Sequence, residues 1–222
     1  MNTLPASALV LSSAFLATAV AALLWAELKS SRLGVWLIKP VASTLFVVTA
    51  LLAGALASSY GRLILLGLLL SWLGDVFLIP KRQLFFIAGL VSFLLAHVAF
   101  SGAFLLQPLE VLPLTLVATA TVVVAIVILR WLWPHLSHNF RPAVVSYLAA
   151  ISLMVVLASG TMAAVGPQLL IGAVMFAVSD IFVARERFVS PSVANRLWGL
   201  PLYYGAQLIF ALSTQNPYGG EQ

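Results

Sequence analysis

Residues 62–79 read RLILLGLLLSWLGDVFLI, an apolar stretch interrupted near its end by one carboxylate, Asp75. A bilayer core about 30 Å thick is crossed by a helix of about 20 mostly apolar residues. The stretch is continuously apolar and lacks the alternation of a membrane strand, so it predicts a transmembrane helix. Inserting a charged side chain at the centre of such a helix costs roughly 2.5 kcal/mol or more, and Asp75 therefore marks a candidate functional site.

The same pattern extends over the whole chain. Of its 222 residues, 63% are hydrophobic and only 8% are charged, and the mean hydropathy is +1.12. A soluble domain averages about 25% charged residues. The composition predicts an all-α polytopic membrane protein and leaves no room for a sizeable soluble domain.

Eight apolar runs, bounded by charge, proline or glycine, predict a bundle of eight transmembrane helices. Their short connections predict that consecutive helices are antiparallel neighbours. We expect residues 1–214 to form a single transmembrane domain and residues 215–222 to form a polar C-terminal tail. The predicted spans are 4–26, 34–57, 62–79, 84–106, 109–132, 142–164, 167–184 and 197–214.

Basic residues lie mainly in the loops that follow the odd-numbered predicted helices. These loops hold nine Lys and Arg residues, whereas the opposite loops hold Arg62 alone. Cytoplasmic loops are enriched in Lys and Arg, so this asymmetry predicts cytoplasmic odd loops, with the N- and C-termini on the non-cytoplasmic side. It also accounts for the net charge of +5 better than nucleic-acid binding does. We expect an integral protein of a bacterial inner (cell) membrane.

A second carboxylate, Asp180, lies in the seventh predicted helix, within the run FAVSDIFVA at 176–184. Asp75 precedes Lys81 by six residues and Asp180 precedes Arg185 by five, on helices predicted to run in the same direction. At a rise of 1.5 Å per residue, both carboxylates lie roughly 8–9 Å inside the cytoplasmic boundary. Their common depth predicts one polar pocket that opens toward the cytoplasmic leaflet.

Other polar side chains are candidates for the same pocket. Lys39 enters the second predicted helix near that boundary and is followed by Pro40, whose missing N–H frees a carbonyl one turn earlier. With Lys39, the candidate substrate-binding residues are Glu27, Ser71, Arg82, His97, Ser179, Arg185, Tyr203, Tyr204 and Gln207.

Each candidate also has a purely structural interpretation. The aspartates are alternatively paired with Lys39 or Arg82 to hold the bundle together, and Lys39 alternatively extends to the lipid head groups. Ser71 and Ser179 are typical of residues that bond to backbone carbonyls or permit close helix packing.

The histidines do not predict a metal site. His97 lies about 13 residues into the fourth predicted helix, nearer the middle of the membrane, whereas His135 and His138 lie in a loop. The three are too far apart to bind one zinc ion, and the chain has no cysteine. Gly-rich phosphate loops and the Gly-x-Ser-x-Gly motif are absent as well. We expect neither a metal nor a cofactor.

Four runs, taken in order along the chain, carry a resemblance to a known family. They are GDVFL at 74–78, LLAH at 94–97, SDIFVA at 179–184 and YYGAQ at 203–207. Together with Lys39-Pro40, they resemble the YhhN-like membrane family over nearly the whole chain, and the characterised animal members of that family are lysoplasmalogenases. The resemblance implies hydrolysis of the vinyl ether bond of a lysoplasmalogen to a fatty aldehyde and a glycerophospho-ethanolamine or glycerophospho-choline.

The chemistry of this reaction suits two carboxyl groups. Protonation of the outer alkene carbon of a vinyl ether gives an oxocarbenium ion, which captures water, and the hemiacetal collapses to aldehyde and alcohol. One acid and one negative charge facing the cation are needed, as in glycoside hydrolysis. We expect Asp75 and Asp180 to fill these two roles, in an order that the sequence leaves open.

Other functions fit the same residues. Paired intramembrane acids also occur in proton-coupled or cation-coupled transporters, although convincing inverted repeats are missing here. A sensor or assembly factor without turnover and a hydrolase of another lysolipid are further alternatives. The expected partners are a lysophospholipid substrate and the bilayer, with no nucleic acid, and a homo-oligomer is compatible with the sequence but not indicated by it.

Overall fold

The computed structural model of the protein describes residues 6–215. Within this range every regular element is helical, as the composition predicts. Two 3-10 turns, Trp133–His135 and His138–Phe140, join the fifth and sixth helices, and a π-helical segment, Arg185–Val189, extends the eighth. The α-helices are α1 (Ala6–Leu28), α2 (Arg32–Leu52), α3 (Ser59–Phe77), α4 (Gln83–Phe104), α5 (Val111–Leu132), α6 (Arg141–Gly160), α7 (Met162–Val165), α8 (Gln168–Ala184) and α9 (Val193–Ser213).

Seven of the described helices, α1 to α6 and α8, are long and apolar enough to cross a membrane. α9 is of similar length but carries Asn195, Arg196 and Gln207, which lower its hydropathy. The predicted character of the fold, a helical membrane bundle, is therefore confirmed. The count of eight spans and the sidedness of the termini remain predictions, and the predicted tail lies, beyond Gln215, outside the described residues.

Local sequence signals set several helix ends. Ser31, Ser58 and Ser192 precede α2, α3 and α9, and each hydroxyl accepts a hydrogen bond from a backbone N–H of the first turn. Gly54, after α2, and Gly166, before α8, have φ values of +92° and +88°, which only glycine adopts without strain. The connections are consequently tight, and consecutive long helices pack side by side as predicted, with one exception: α4 packs against α6 and not against α5, which lies outside them.

The loops that follow α1, α3, α5 and α8 lie at one end of the bundle, here called the basic end. Arg196 at the start of α9 contacts Glu27 at the end of α1. Arg187, after α8, lies over the ring of Phe86 at the start of α4, and that ring also packs against Phe140 between α5 and α6. These contacts show that the ends of α1, α3, α5 and α8 lie on the same side of the bundle. Asp75 and Asp180 both lie in the second half of their helices, and therefore near the basic end.

The core of the bundle is built from phenylalanine rings packed against glycines. Gly67 on α3 faces the fully buried ring of Phe100 on α4, and Gly74 faces Phe93. The main apolar cluster draws on α1 to α4, α6, α8 and α9. α5 packs chiefly against α6, and only its last residue, Leu132, is buried. The polar candidates therefore sit around the central helices, with α5 at the periphery.

Candidate active site

Asp75 lies near the end of α3 and is almost fully buried, with 2% of its surface exposed. Its Oδ2 accepts hydrogen bonds of 2.6 Å from the hydroxyl groups of Ser43 and Tyr203. Its Oδ1 lies 3.1 Å from Nζ of Lys39. One ammonium group and two hydroxyl donors are the partners expected of an ionised carboxylate. Lys39 thus points into the bundle and not to the head groups, and Asp75 connects α2, α3 and α9.

The α2 side of this cluster is organised around Pro40. Because proline has no N–H, the helix lacks the backbone hydrogen bond to the carbonyl of Trp36. The hydroxyls near Asp75 contact a different carbonyl, that of Lys39. Ser43, one turn after Lys39, lies 3.1 Å from the Lys39 carbonyl oxygen and 3.1 Å from the hydroxyl of Tyr204. The Tyr204 hydroxyl is 3.4 Å from the same carbonyl. Both tyrosines of the YYGAQ run therefore belong to the surroundings of Asp75.

Asp180, in the last turn of α8, has a second and smaller set of partners. The hydroxyl of Tyr147 on α6 donates a hydrogen bond of 2.8 Å to its Oδ2. Nε2 of His97 on α4 lies 3.4 Å from the same oxygen, and the His97 ring is fully buried. That ring packs against Tyr147 at 5.1 Å and against Phe176 at 4.6 Å between centroids. No Lys or Arg forms an ion pair with Asp180 within residues 6–215.

Aromatic rings connect the two acids. The ring of Tyr203, whose hydroxyl binds Asp75, packs 5.5 Å from Phe176 and 5.8 Å from Phe93. Phe176 in turn contacts His97 beside Asp180. The described hydrogen bonds give the two carboxyl groups separate partners and none in common. The geometry is therefore that of two acid clusters joined by a layer of rings.

Several buried polar atoms beside this layer lack a hydrogen-bond partner in the described part of the chain. They are Oγ of Ser71, both amide atoms of Gln207 and, beside Asp180, both ring nitrogens of His97. Ser71 lies one turn from Asp75, and Gln207 lies one turn from Tyr203 on the antiparallel α9, so both are placed just beyond the Asp75 cluster. A buried polar group without a partner costs about 1–3 kcal/mol, and these atoms are suited to bind polar atoms of a substrate or water.

Charged side chains at the basic end form a network of their own. Nε of Arg196 lies 2.9 Å from Glu27, and its Nη1 lies 2.7 Å from Glu186 in the π-helical segment. Asn195 donates to Glu186 at 2.8 Å and accepts a bond of 2.7 Å from Arg185. Glu27 and Arg185, both predicted to bind substrate, are thus engaged with this network and touch neither aspartate through a described hydrogen bond or ion pair.

The remaining sequence candidates have simpler surroundings. Oγ of Ser179 donates to the carbonyl of Phe176 in its own helix, at 2.8 Å, as the structural interpretation of this serine predicts. Arg82 is exposed and is the N-cap residue of α4, where its side chain makes no capping bond. Of the predicted set, the structure brings Lys39, Tyr203 and Tyr204 to Asp75 and His97 to Asp180.

Two functional candidates were not identified from the sequence, and a third, His97, was expected deeper than the aspartate that it contacts. Ser43 had a usable signal, because it lies one turn after Lys39. Tyr147 had none, since only the packing of α6 against α8 brings it to Asp180. Counting residues along α4 predicted a position for His97 deeper than the aspartates, whereas the structure brings it beside Asp180. Such a count ignores the relative tilt and offset of neighbouring helices.

Within residues 6–215, no group of three His, Cys, Asp or Glu side chains is arranged to hold a metal ion. The described residues offer two separate carboxyl groups, hydroxyl groups and amides. Such groups suit proton transfer and the stabilisation of a cation.

Comparisons with known proteins match most of the chain. The model of the YhhN family matches residues 34–214. Lysoplasmalogenase TMEM86A of Homo sapiens is 32% identical over 204 residues, which cover 86% of this chain and 72% of the relative. The protein of the same name from Bos taurus is 30% identical over 202 residues, with the same coverage. A lysoplasmalogenase of Mycobacterium tuberculosis is 33% identical over 182 residues, which cover 78% of this chain and 67% of the relative. Solved structures gave no significant match.

Proposed function

Since this chain belongs to the YhhN family, we propose that it is a membrane-embedded hydrolase that cleaves the vinyl ether bond of lysoplasmalogens. The products are a fatty aldehyde and a glycerophospho-ethanolamine or glycerophospho-choline. The observation that carries this proposal is the pair of intramembrane carboxyl groups with unequal partners, one bound by Lys39 and the other by neutral side chains.

The reaction adds one water molecule across the vinyl ether in three steps. An acid gives a proton to the outer alkene carbon, and the positive charge moves to the inner carbon and the ether oxygen. Water attacks the inner carbon and loses a proton to a base, which forms a hemiacetal. The hemiacetal hydroxyl then loses its proton while the ether oxygen gains one, so that the carbon–oxygen bond breaks and aldehyde and alcohol separate.

We assign the stabilising carboxylate to Asp75. Lys39 and two hydroxyl donors hold its charge in place, so it faces a developing cation without having to reorganise. The same carboxylate is the base for water bound near Tyr203. Gln207 and Ser71, whose buried polar atoms lack described partners, support that water or the ether oxygen.

We assign the role of the proton-donating acid to Asp180. It lies against His97, whose ring packs on Phe176, and against Tyr147, with no Lys or Arg paired to it within the described residues. A vinyl ether placed along Tyr203 and Phe176 has one acid cluster on each side. The faces of these rings add electrostatic stabilisation to an oxocarbenium ion.

The polar head of the substrate belongs at the basic end. Lys39 is occupied by Asp75, so the exposed Arg82, and Arg185 beside the Glu27 network, are the better candidates for the phosphate. The hydrocarbon chain then enters from the lipid phase between apolar helices. From the distribution of Lys and Arg we place this end at the cytoplasmic leaflet.

Removing either carboxyl group tests the proposal. We expect purified Asp75→Asn and Asp180→Asn proteins to release aldehyde from lysoplasmenyl-ethanolamine about a hundredfold more slowly than wild type, because a positioned acid or base contributes at least that much. The matched control is Glu110→Gln, which neutralises an exposed carboxylate at the opposite end of the bundle. Wild-type rates in both aspartate variants would remove the acid–base roles. Absence of aldehyde release by the wild-type protein would contradict the hydrolase itself.

A further inference from the structure

A shallow cleft lies away from the two aspartates, where the end of α5 meets the start of α6 at the basic end. The two helices frame this cleft, which has a volume of about 470 Å³. The cleft is lined by Trp133, His138, Arg141, Pro142, Val145 and Ser146. None of these residues contacts Asp75 or Asp180 through a described hydrogen bond or ion pair, so the cleft is separate from the candidate active site.

Arg141 is the charged group of the cleft. Its guanidinium lies over the ring of Trp133, 4.6 Å from the centroid, which fixes the plane of the guanidinium. Its Nε is buried, yet it finds no hydrogen-bond acceptor in residues 6–215. The described ion pairs give Arg141 no carboxylate either. An oriented guanidinium without a carboxylate partner is suited to bind an anion.

The geometry of the guanidinium favours a phosphate. The two terminal amino groups of Arg141 present N–H donors at the cleft, which match two oxygens of a phosphate. His138 and Ser146 add a ring N–H and a hydroxyl along the same wall. The remaining wall, formed by Trp133, Pro142 and Val145, is apolar and exposed, and suits the glycerol and first methylenes of a lipid. Trp and Arg at the end of a span are also typical of the membrane interface.

From these observations we propose that the cleft between α5 and α6 binds the phosphate group of a membrane glycerophospholipid. Arg141 binds the phosphodiester, the ring of Trp133 supports the guanidinium, and the lipid chains lie along the outer face of α5, a helix in which only Leu132 is buried. The ligand is a bound component of the bilayer and is not consumed.

Retention of lipid by the full-length protein in native mass spectrometry tests this site. The probe is dioleoylphosphatidylglycerol, and wild type is compared with Arg141→Gln and His138→Gln. We expect the dissociation constant of one bound lipid to rise about tenfold or more in Arg141→Gln, since a charged hydrogen-bonding pair is lost. A smaller rise, of several-fold, is expected for His138→Gln, which changes an exposed loop residue and leaves the helices intact.

Arg130→Gln is the matched control, because Arg130 is an exposed cation in the last turn of α5 that does not line the cleft. Equal retention by all four proteins would overturn the proposal, and so would equal losses in Arg130→Gln and Arg141→Gln. Two further ligands identify the source of the phosphate. Retention of dioleoylglycerol as strong as that of the phospholipid would show that the phosphate is not recognised. Displacement of the lipid by millimolar inorganic phosphate would show that the cleft binds anions in general and is not a lipid site.

Discussion

Tyr203 is the residue that links the Asp75 cluster to the aromatic layer. Its hydroxyl donates to Asp75 at 2.6 Å while its ring packs against Phe93 and Phe176. A hydrogen bond to a charged group contributes about 1.5–3 kcal/mol. We expect Tyr203→Phe to slow aldehyde release about tenfold or more, because this bond orients the carboxylate that faces the cation.

Tyr60→Phe provides the control on the same pair of helices. The Tyr60 hydroxyl is buried and hydrogen-bonded to Ser213 at 2.7 Å. This bond joins the start of α3 to the end of α9, on the side of the bundle away from the basic end. Both changes remove a buried tyrosine hydroxyl bond, and both are expected to lower thermal stability. Equal losses of activity in Tyr203→Phe and Tyr60→Phe would mean that Tyr203 acts only through packing.

The Lys39–Asp75 pair distinguishes an enzyme from a protein in which the acids only hold helices together. Lys39→Met leaves a buried carboxylate without its cation, which costs about 3–5 kcal/mol. The double variant Lys39→Met with Asp75→Asn removes both charges. We expect the melting temperature to fall in Lys39→Met and largely recover in the double variant, while aldehyde release stays lost in both. Recovery of activity together with stability would support the structural interpretation.

At the scale of elements, the approach of α3 to α4 sets the position of Asp75. A Cβ atom on Gly67 would lie 2.4 Å from the fully buried ring of Phe100, whereas on Gly102 of α4 the nearest atom would be 3.7 Å away. We expect Gly67→Ala to destabilise the protein by about 1–3 kcal/mol, because neither ring nor backbone has room to move. Gly102→Ala is expected to be neutral or slightly stabilising, since alanine favours helix. Thermal unfolding of the purified proteins measures both, and equal effects would show that the α3–α4 contact tolerates separation.

The π-helical segment after α8 is the other element that bears on the site. It begins five residues after Asp180 and is held by Glu186, which binds Arg196 and Asn195. π-helical turns occur frequently at functional sites. Here the segment carries Glu186 into the charged network, while Asp180 contacts His97 and Tyr147.

For the molecule as a whole, the distribution of Lys and Arg predicts sidedness. Because the chain contains no cysteine, single cysteines report accessibility without background. Ala57→Cys lies in the exposed α2–α3 connection, and Ser190→Cys lies in the exposed loop at the basic end. In intact cells we expect a membrane-impermeant thiol reagent to label Ala57→Cys and to label Ser190→Cys only after lysis. The reverse pattern would place the aspartates near the outer leaflet.

Much of the fold was predictable because a bilayer imposes strong requirements on short segments. Each long helix is recognisable from its own apolar run, since a lipid-exposed backbone must form its hydrogen bonds within the segment. The family resemblance, now confirmed by the family match, was likewise carried by local runs such as GDVFL and YYGAQ. Asp75 and Asp180 were identified as candidates in the same way, because an ionisable side chain stands out against an apolar background.

The partners of these acids were not predictable to the same extent. Lys39 was identified as a possible partner of either aspartate, but its contact with Asp75 depends on how α2 packs against α3. Tyr147 and His97 reach Asp180 from two other helices, which no spacing along the chain encodes. The separation of the acids by Tyr203 and Phe176 likewise depends on tertiary packing.

The amino-acid sequence by itself therefore determined that the chain forms apolar helices, where most of them begin and end, and which charged residues stand inside them. Those properties follow from the free energy of transferring each segment from water into the bilayer. That free energy is a sum over residues that are neighbours in the chain. The tertiary structure alone decided that Asp75 is paired with a cation and Asp180 with neutral groups. That choice depends on the tilt, offset and rotation of helices packed through glycines and phenylalanines, which are set by contacts between residues far apart in the chain.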